Sequence, residues 1–333
     1  MPTDSLGPLL CSVDLLPLLV RRGSIPAPTT GLLTPRKTAL ISLVRQSIRY
    51  RELIGTLINR DLRARYRGSV LGQAWMVLQP LAFLAIFYVV FGQLMVTSMP
   101  EGPLKERTGY FALAMFCGLI PWIGFAETMT RAAGCITENG SLIKKFAFPS
   151  EIIPVTLVLS GMAQTLVGFG ILTVAIFVLH GELPHHVWML PLLLVLQATF
   201  TLGLAMFTAA ACVFVRDIGS MMPMLMNFWF FMSPIFMFGR FEATELTATV
   251  MRWNPITYLM ECYRTVFVYH PEDWGGLVEQ LSDAQRKKIP LIPASYESFP
   301  WLWLGLFALI AVVTLAIGYF VFMRSKMRFA DEI

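Results

Sequence analysis

The stretch DLRARYRGSVLGQAWMVLQPLAFLAIFYVVFGQL, Asp61 to Leu94, constrains this chain more than any other. It opens with Arg63, Arg65 and Arg67 and then carries no charged side chain from Val70 to Leu94. About 20 apolar residues in a helix cross the hydrocarbon of a bilayer. Arginine is costly in hydrocarbon and is attracted to anionic cytoplasmic headgroups. The pattern therefore predicts a crossing whose basic end stays in the cytoplasm, and it orients everything downstream.

Of 333 residues, 56% are hydrophobic and 14% charged, whereas soluble domains are nearer a quarter charged. This composition predicts a polytopic membrane protein. The net charge of +5 lies mostly beside predicted spans, which argues against nucleic acid as a partner. Cys11, Cys117, Cys135, Cys212 and Cys262 are scattered, with no C-x-x-C, so neither a disulfide framework nor a metal site is expected. The run HGELPHHVW, His180 to Trp188, holds three histidines without an acid or cysteine at ligand spacing and reads as an interfacial loop. No G-x-x-x-x-G-K-[ST] loop occurs, so the chain lacks that route to ATP. No cofactor is expected on it, and ATP and magnesium would belong to a separate ATPase.

Taken in order, the chain predicts an all-α polytopic membrane protein with six transmembrane helices. Residues 1–38 read as a weakly ordered extension, with Pro26, Pro28 and Pro35 opposing a helix. Residues 39–68 read as an amphipathic interface helix, with Ile54, Leu57, Ile58 and Leu62 on one face and Arg45, Arg49, Glu52, Arg60 and Arg63 on the other. A membrane anchor and a docking surface for a cytoplasmic partner are both open for it. Residues 69–323 form the transmembrane domain, with spans at about 70–95, 109–131, 154–179, 189–214, 218–238 and 301–322, and residues 324–333 form a cytoplasmic tail. Glu127 and Arg131, four apart, predict an ion pair within the second span. WNPITYLMECYRTVFVY, Trp253 to Tyr269, is too polar and short to cross and reads as a re-entrant or interfacial element broken at Asn254–Pro255. With six spans and both termini inside, 18 Lys and Arg fall on the cytoplasmic side and eight outside, as the positive-inside rule requires.

Two runs carry a family resemblance. RYRGSVLGQAW fits R-Y-R-x-S-x-L-G-x-x-W ahead of a proline, aromatics and F-G, and NGSLIKKFAFP, Asn139 to Pro149, fits N-x-x-L-I-K-K-x-x-F-P. With them the chain resembles the ABC-2 type permeases that export polysaccharides such as O-antigen, teichoic acid and capsule. The resemblance implies a homodimer with two copies of a separate ABC ATPase, in a bacterial inner membrane. It makes Leu142, Lys144, Lys145, Phe146 and Pro149 a coupling helix that docks on the ATPase. An ordinary positive-inside loop explains the lysines but not the aromatics beside them. It also implies paired outer helices before the last span, here with Asn254, Pro255, Tyr258 and Arg264.

Arg63, Arg65, Tyr66 and Arg67 stand where a pyrophosphate-linked lipid headgroup would approach, and the planar fork of arginine suits phosphate. Plain positive-inside anchoring accounts for the same arginines. The family lines its channel with spans one and five, here Trp75, Phe83, Phe87, Tyr88, Phe228, Trp229 and Phe231. Such rings can stack on the apolar faces of sugars, and lipid contact is the competing reading. The resulting expectation is the permease subunit of an ATP-driven exporter of a lipid-linked polysaccharide, itself not an enzyme. An ABC-2 permease for drugs or small lipids is one alternative. An integral membrane glycosyl- or acyltransferase is another, although Glu261, Glu272 and Asp273 show no recognisable catalytic spacing.

Overall fold

The computed structural model describes residues 39–90, 108–140, 144, 149–181, 183–184, 186–235, 245–268 and 299–332. Those residues form helices joined by turns. In chain order they are α1 (Ala39–Arg49), α2 (Arg51–Arg65), α3 (Trp75–Val89), α4 (Thr108–Glu138), α5 (Ile152–His180), α6 (Leu190–Phe214), α7 (Asp217–Phe231), α8 (Glu245–Trp253), α9 (Pro255–Phe267), α10 (Trp301–Lys326) and α11 (Phe329–Glu332). Short 3-10 turns at Gly72–Ala74 and Val187–Met189 lead into α3 and α6.

Five stretches among the described residues are long and apolar enough to cross a bilayer: Gly72–Val89, Ala112–Glu138, Ile152–Leu179, Val187–Phe214 and Trp301–Lys326. The expected fifth span, 218–238, is the 15-residue α7, which ends at Phe231 and gives way to a turn through Ser233 and Pro234. Residues 236–238 lie outside the described residues. The single helix expected over residues 39–68 is two helices, broken at Tyr50 and ending at Arg65. α4 runs seven residues past the expected boundary at Arg131, because the charges taken as its end are neutralised by another helix.

Close backbone approach organises the bundle. α6 and α10 form its most extensive helix pair and meet at Gly203 and Gly318: a Cβ on Gly318 would run into the backbone of Gly203, and one on Gly203 into the backbone of Thr314 and Leu315. α4 and α5 cross reciprocally: a Cβ at Gly124 would strike Thr165 Oγ1, and one at Gly161 would strike Thr128 Oγ1. Small residues at helix crossings are the usual packing device where water supplies no hydrophobic drive between helices. Both hydroxyls are satisfied within their own helices, Thr128 donating to Gly124 O at 2.7 Å and Thr165 to Gly161 O at 3.0 Å.

Two apolar clusters result. The larger centres on α4 with α5, α6, α9 and α10. The smaller joins α1 and α2 to the C-terminal ends of α4, α6 and α10 and to the start of α5. This second region, rich in charged side chains, is the basic end of the bundle. α9 lies within the larger cluster, with 11 of its 13 residues buried. None of α3 is buried.

Candidate functional site

Three groups of functional side chains sit at different levels of the bundle. At the basic end, α2 is tied to α4 and α5 by a charged node. Asp61 receives both terminal nitrogens of Arg131, Nη1 at 3.0 Å and Nη2 in a closer ion pair. Arg65 Nη1 lies 2.6 Å from both Glu127 Oε1 and Gln164 Oε1, and Nε is 3.5 Å from Asp61. The expected pairing of Glu127 with Arg131 along α4 is thus replaced: each reaches across to α2 instead. Burial alone would raise the Asp61 carboxyl, but the hydrogen bond and charge of Arg131, with Arg65, outweigh it and hold it below its usual value. Burial pushes the Tyr66 hydroxyl up, against the pull of the Arg65 charge and with the help of Glu127.

This node divides the four residues expected at the cytoplasmic mouth. Arg63 and Arg67 are exposed, Tyr66 is half-buried at the end of α2, and Arg65 is committed to the node. The chain then bends through Gly68 and Gly72, both with positive φ, a conformation that glycine adopts without strain. Trp75, exposed at the start of α3, closes the bend by donating Nε1 to Ser69 Oγ at 2.8 Å.

Next to the node lies the expected coupling run. Lys144 is helical and exposed, and Pro149 is half-buried; Leu142, Lys145 and Phe146 fall outside the described residues. Immediately after the run, the buried Glu151 at the start of α5 accepts from Lys326 Nζ at 2.8 Å. The last turn of α10 is thereby fastened to the same place.

Nearer the middle, the expected path residues separate. Phe83 and Phe87, 6.5 Å apart between ring centres, are half-buried against the large cluster, whereas Tyr88 is exposed. On α7, Phe228 and Phe231 are exposed. Trp229 turns inward, 6.3 Å from Trp122 and 5.4 Å from Phe125. Its Nε1 donates to Asn254 Oδ1 at 3.0 Å. Asn254 also caps α9 by accepting from Ile256 N at 3.1 Å, and its Nδ2 donates to Met232 O and Ser233 Oγ. Pro255 follows at the first helical position, where its missing N–H costs nothing.

Higher on α9, Arg264 is fully buried. It donates to Glu261 Oε1 at 2.6 Å, to Pro234 O at 2.5 Å and to Ile235 O at 3.1 Å. Its space is left open by Gly118, where a Cβ would lie 3.1 Å from Nη2. Tyr263 donates to Gln197 Oε1 at 2.7 Å, and Gln197 donates to Pro121 O at 3.0 Å. The half-buried Tyr258 donates to Arg252 O at 2.6 Å. The turn after α7 is therefore held from both ends of α9, and α9 is itself bonded to α4 and α6. The cavity where α4, α6 and α9 meet holds about 10 Å³, room for roughly one water.

Sequence reading missed the node because its members are 70 and 99 residues apart. The signal was a pair of opposite charges, Asp61 and Arg65, four apart on the otherwise apolar face of α2 that carries Ile54, Leu57, Ile58 and Leu62. Among the described residues no group of three metal-ligating side chains comes together, and Cys117, Cys135, Cys212 and Cys262 are buried free thiols.

A bundle of long apolar helices with charged ties at one end and a buried polar helix inside defines a multi-pass membrane protein. The chain belongs to the ABC-2 type transporter family, which matches residues 52–268. It is 29% identical over 266 residues to the O-antigen export system permease protein RfbA of Myxococcus xanthus, covering 79% of this chain and 94% of that one. It is 27% identical over 219 residues to the RfbA protein of Klebsiella pneumoniae, covering 65% and 80% of the two chains. A third relative, the polysialic acid transport protein KpsM of Escherichia coli, is 26% identical over 216 residues, or 63% and 79%.

Proposed function

We propose that this chain is the membrane-spanning subunit of an ATP-driven exporter that moves a lipid-linked polysaccharide out of the cytoplasm across the inner membrane. The observation that carries this reading is the likeness to the M. xanthus O-antigen permease over 94% of that protein, joined by the likeness to the E. coli polysialic acid transport protein. In this reading α7 is the fifth of six crossings, both termini are cytoplasmic, and the basic end lies at the cytoplasmic face. α8 and α9 dip into the bundle from outside as a re-entrant pair. A single copy encloses little space, so two copies form the path by two-fold symmetry, and two separate ATPase subunits drive it.

Within this scheme the run from Leu142 to Pro149 docks on the ATPase. Its thrust reaches α10 through Glu151–Lys326 and α2 through α4 and the node. The exposed Arg63 and Arg67 meet the lipid pyrophosphate, while Arg65 positions α2. Trp75, Tyr88, Phe228 and Phe231 offer rings to the sugar chain. Asn254, Pro255, Tyr258 and Arg264 hold the outer constriction, and Trp229, Phe83 and Phe87 buttress it.

The test is deletion of the chain in its host, with surface glycan measured per cell. Loss of glycan, restored by the wild-type chain and not by Phe146→Asp at equal membrane level, is expected. Unchanged glycan after deletion overturns the reading, and full restoration by Phe146→Asp removes the coupling role.

A further inference from the structure

The turn between α8 and α9 carries two exposed side chains that none of the roles above uses. Arg252 is exposed and Trp253 is 83% exposed, although the residues on either side, Met251 and Asn254, are 3% and 6% exposed.

The depth of this turn is fixed by its neighbours. Asn254 accepts from Trp229, whose ring lies against Trp122 and Phe125 at the middle of the 31-residue α4. The Arg252 carbonyl accepts from Tyr258, whose ring packs 6.2 Å from Trp303 in the first turn of α10. Arg252 and Trp253 therefore sit between mid-bundle and its outer rim. That rim is marked by the exposed indoles of Trp188 and Trp301, 64% and 57% exposed at the starts of α6 and α10, the level where tryptophan gathers at a membrane surface.

A cation at that depth is costly against hydrocarbon and is held by protein, by a water-filled space or by snorkelling to the rim, and of these the water-filled space accounts for the open indole beside it as well. The adjoining outer end of α7 is open as well, with Phe228 and Phe231 at 65% and 73%. A flat indole beside a guanidinium is a pairing suited to sugars. The ring stacks on the C–H face of a pyranose, and the charged fork makes hydrogen bonds to hydroxyl or carboxylate oxygens. The backbone under the pair is rigid, since Asn254 and Tyr258 pin the turn on both sides.

We propose that Arg252 and Trp253 face the water-filled path and form a contact site for the glycan chain in the outer half of the membrane. The site deepens the export reading given above and rests on it. It differs from the buried gate residues beside it. Asn254 and Arg264 hold protein to protein, whereas Arg252 and Trp253 are presented outward.

The test uses the full complex in membranes of its host and a charged, membrane-impermeant methanethiosulfonate as probe. Single cysteines replace Trp253, Val312, which is 50% exposed at the middle of α10, and Trp301 at the outer rim. The wild-type chain, whose described cysteines are buried, supplies the blank. Trp253→Cys should label at least tenfold faster than Val312→Cys. Its rate should fall twofold or more when glycan synthesis is on rather than genetically off, while that of Trp301→Cys stays constant.

Labelling of Trp253→Cys no faster than Val312→Cys overturns the water-filled path at this turn. Labelling that ignores glycan synthesis, as at Trp301, makes Trp253 an interfacial anchor and overturns the sugar site. Export is the second readout. Trp253→Ala and Arg252→Gln should each lower surface glycan severalfold at matched protein level, and Trp253→Phe should keep most of it. Wild-type export by both the Ala and Gln variants sinks the contact role. If deletion of the chain leaves surface glycan intact, the export reading itself has failed, and the thiol labelling still reports whether the turn is wet.

Discussion

α9 and α3 invert the pattern of a soluble protein. α9 holds a glutamate, an arginine and two threonines and is almost entirely buried. α3 is uncharged, apolar but for Gln79 and the hydroxyl of Tyr88, and has no buried residue in a single copy. In water the two would change places. In a bilayer the outside is as apolar as leucine, so apolar surface gains little by burial, while a polar group must find a protein partner or water. Burial in this chain therefore follows the need for hydrogen bonds. α9 is inside because Arg264 requires Glu261 and the carbonyls of Pro234 and Ile235, and α3 is outside because it carries no charge that requires company.

The contrast can be broken most severely at Arg264. Removing one partner of a buried ion pair costs about 3 to 5 kcal/mol, so Arg264→Ala should sharply lower the melting temperature in detergent. The double variant Glu261→Gln with Arg264→Met should recover part of the loss, and a double variant no better than the single one would argue against the pair as the cause. Next in size is Asn254→Ala, which strips α9 of its cap and Trp229 of its acceptor. About 1 to 2 kcal/mol is expected, read as faster amide exchange at the start of α9.

A third experiment sharpens the α3 side of the comparison, since the polar anchorage of that region lies in α2. The Asp61 carboxyl is held below its ordinary value near 3.8. Its contribution is then complete above that ordinary value and disappears as pH falls through the lower, folded one. Exchange protection of α2, corrected for intrinsic rates, should stay flat from about pH 5 upward and fall only in stronger acid. Asp61→Asn should remove that acid limb. Protection that declines between pH 5 and 7 would point to another group. Smallest of all should be Leu81→Ala on the open face of α3, within about 0.5 kcal/mol in a single copy. A larger loss that depends on protein concentration would show a second copy packed against that face.

Much of this architecture is legible in sequence because hydropathy reports where lipid is. The long apolar helices stand close to their expected places, and the break at Asn254–Pro255 could be read from a cap followed by proline. Charge misled in two ways. Arg131 and Lys326 looked like span ends, yet α4 and α10 continue past or up to them because Asp61 and Glu151 neutralise them. Ring chemistry alone did not separate the inward Trp229 from the outward Phe228 and Phe231. What turns Trp229 in is an asparagine 25 residues on, and no local pattern announces that.

The Gly203–Gly318 contact also has a consequence for biogenesis. The two glycines are separated by 115 positions, and translation at about 5 to 20 residues per second leaves roughly 6 to 23 s between their appearances. Throughout that interval α6 lies in the membrane with its backbone groove open. α10 closes it once that helix joins α6. A translational pause or truncation before α10 would leave that groove to be filled by lipid or by another chain.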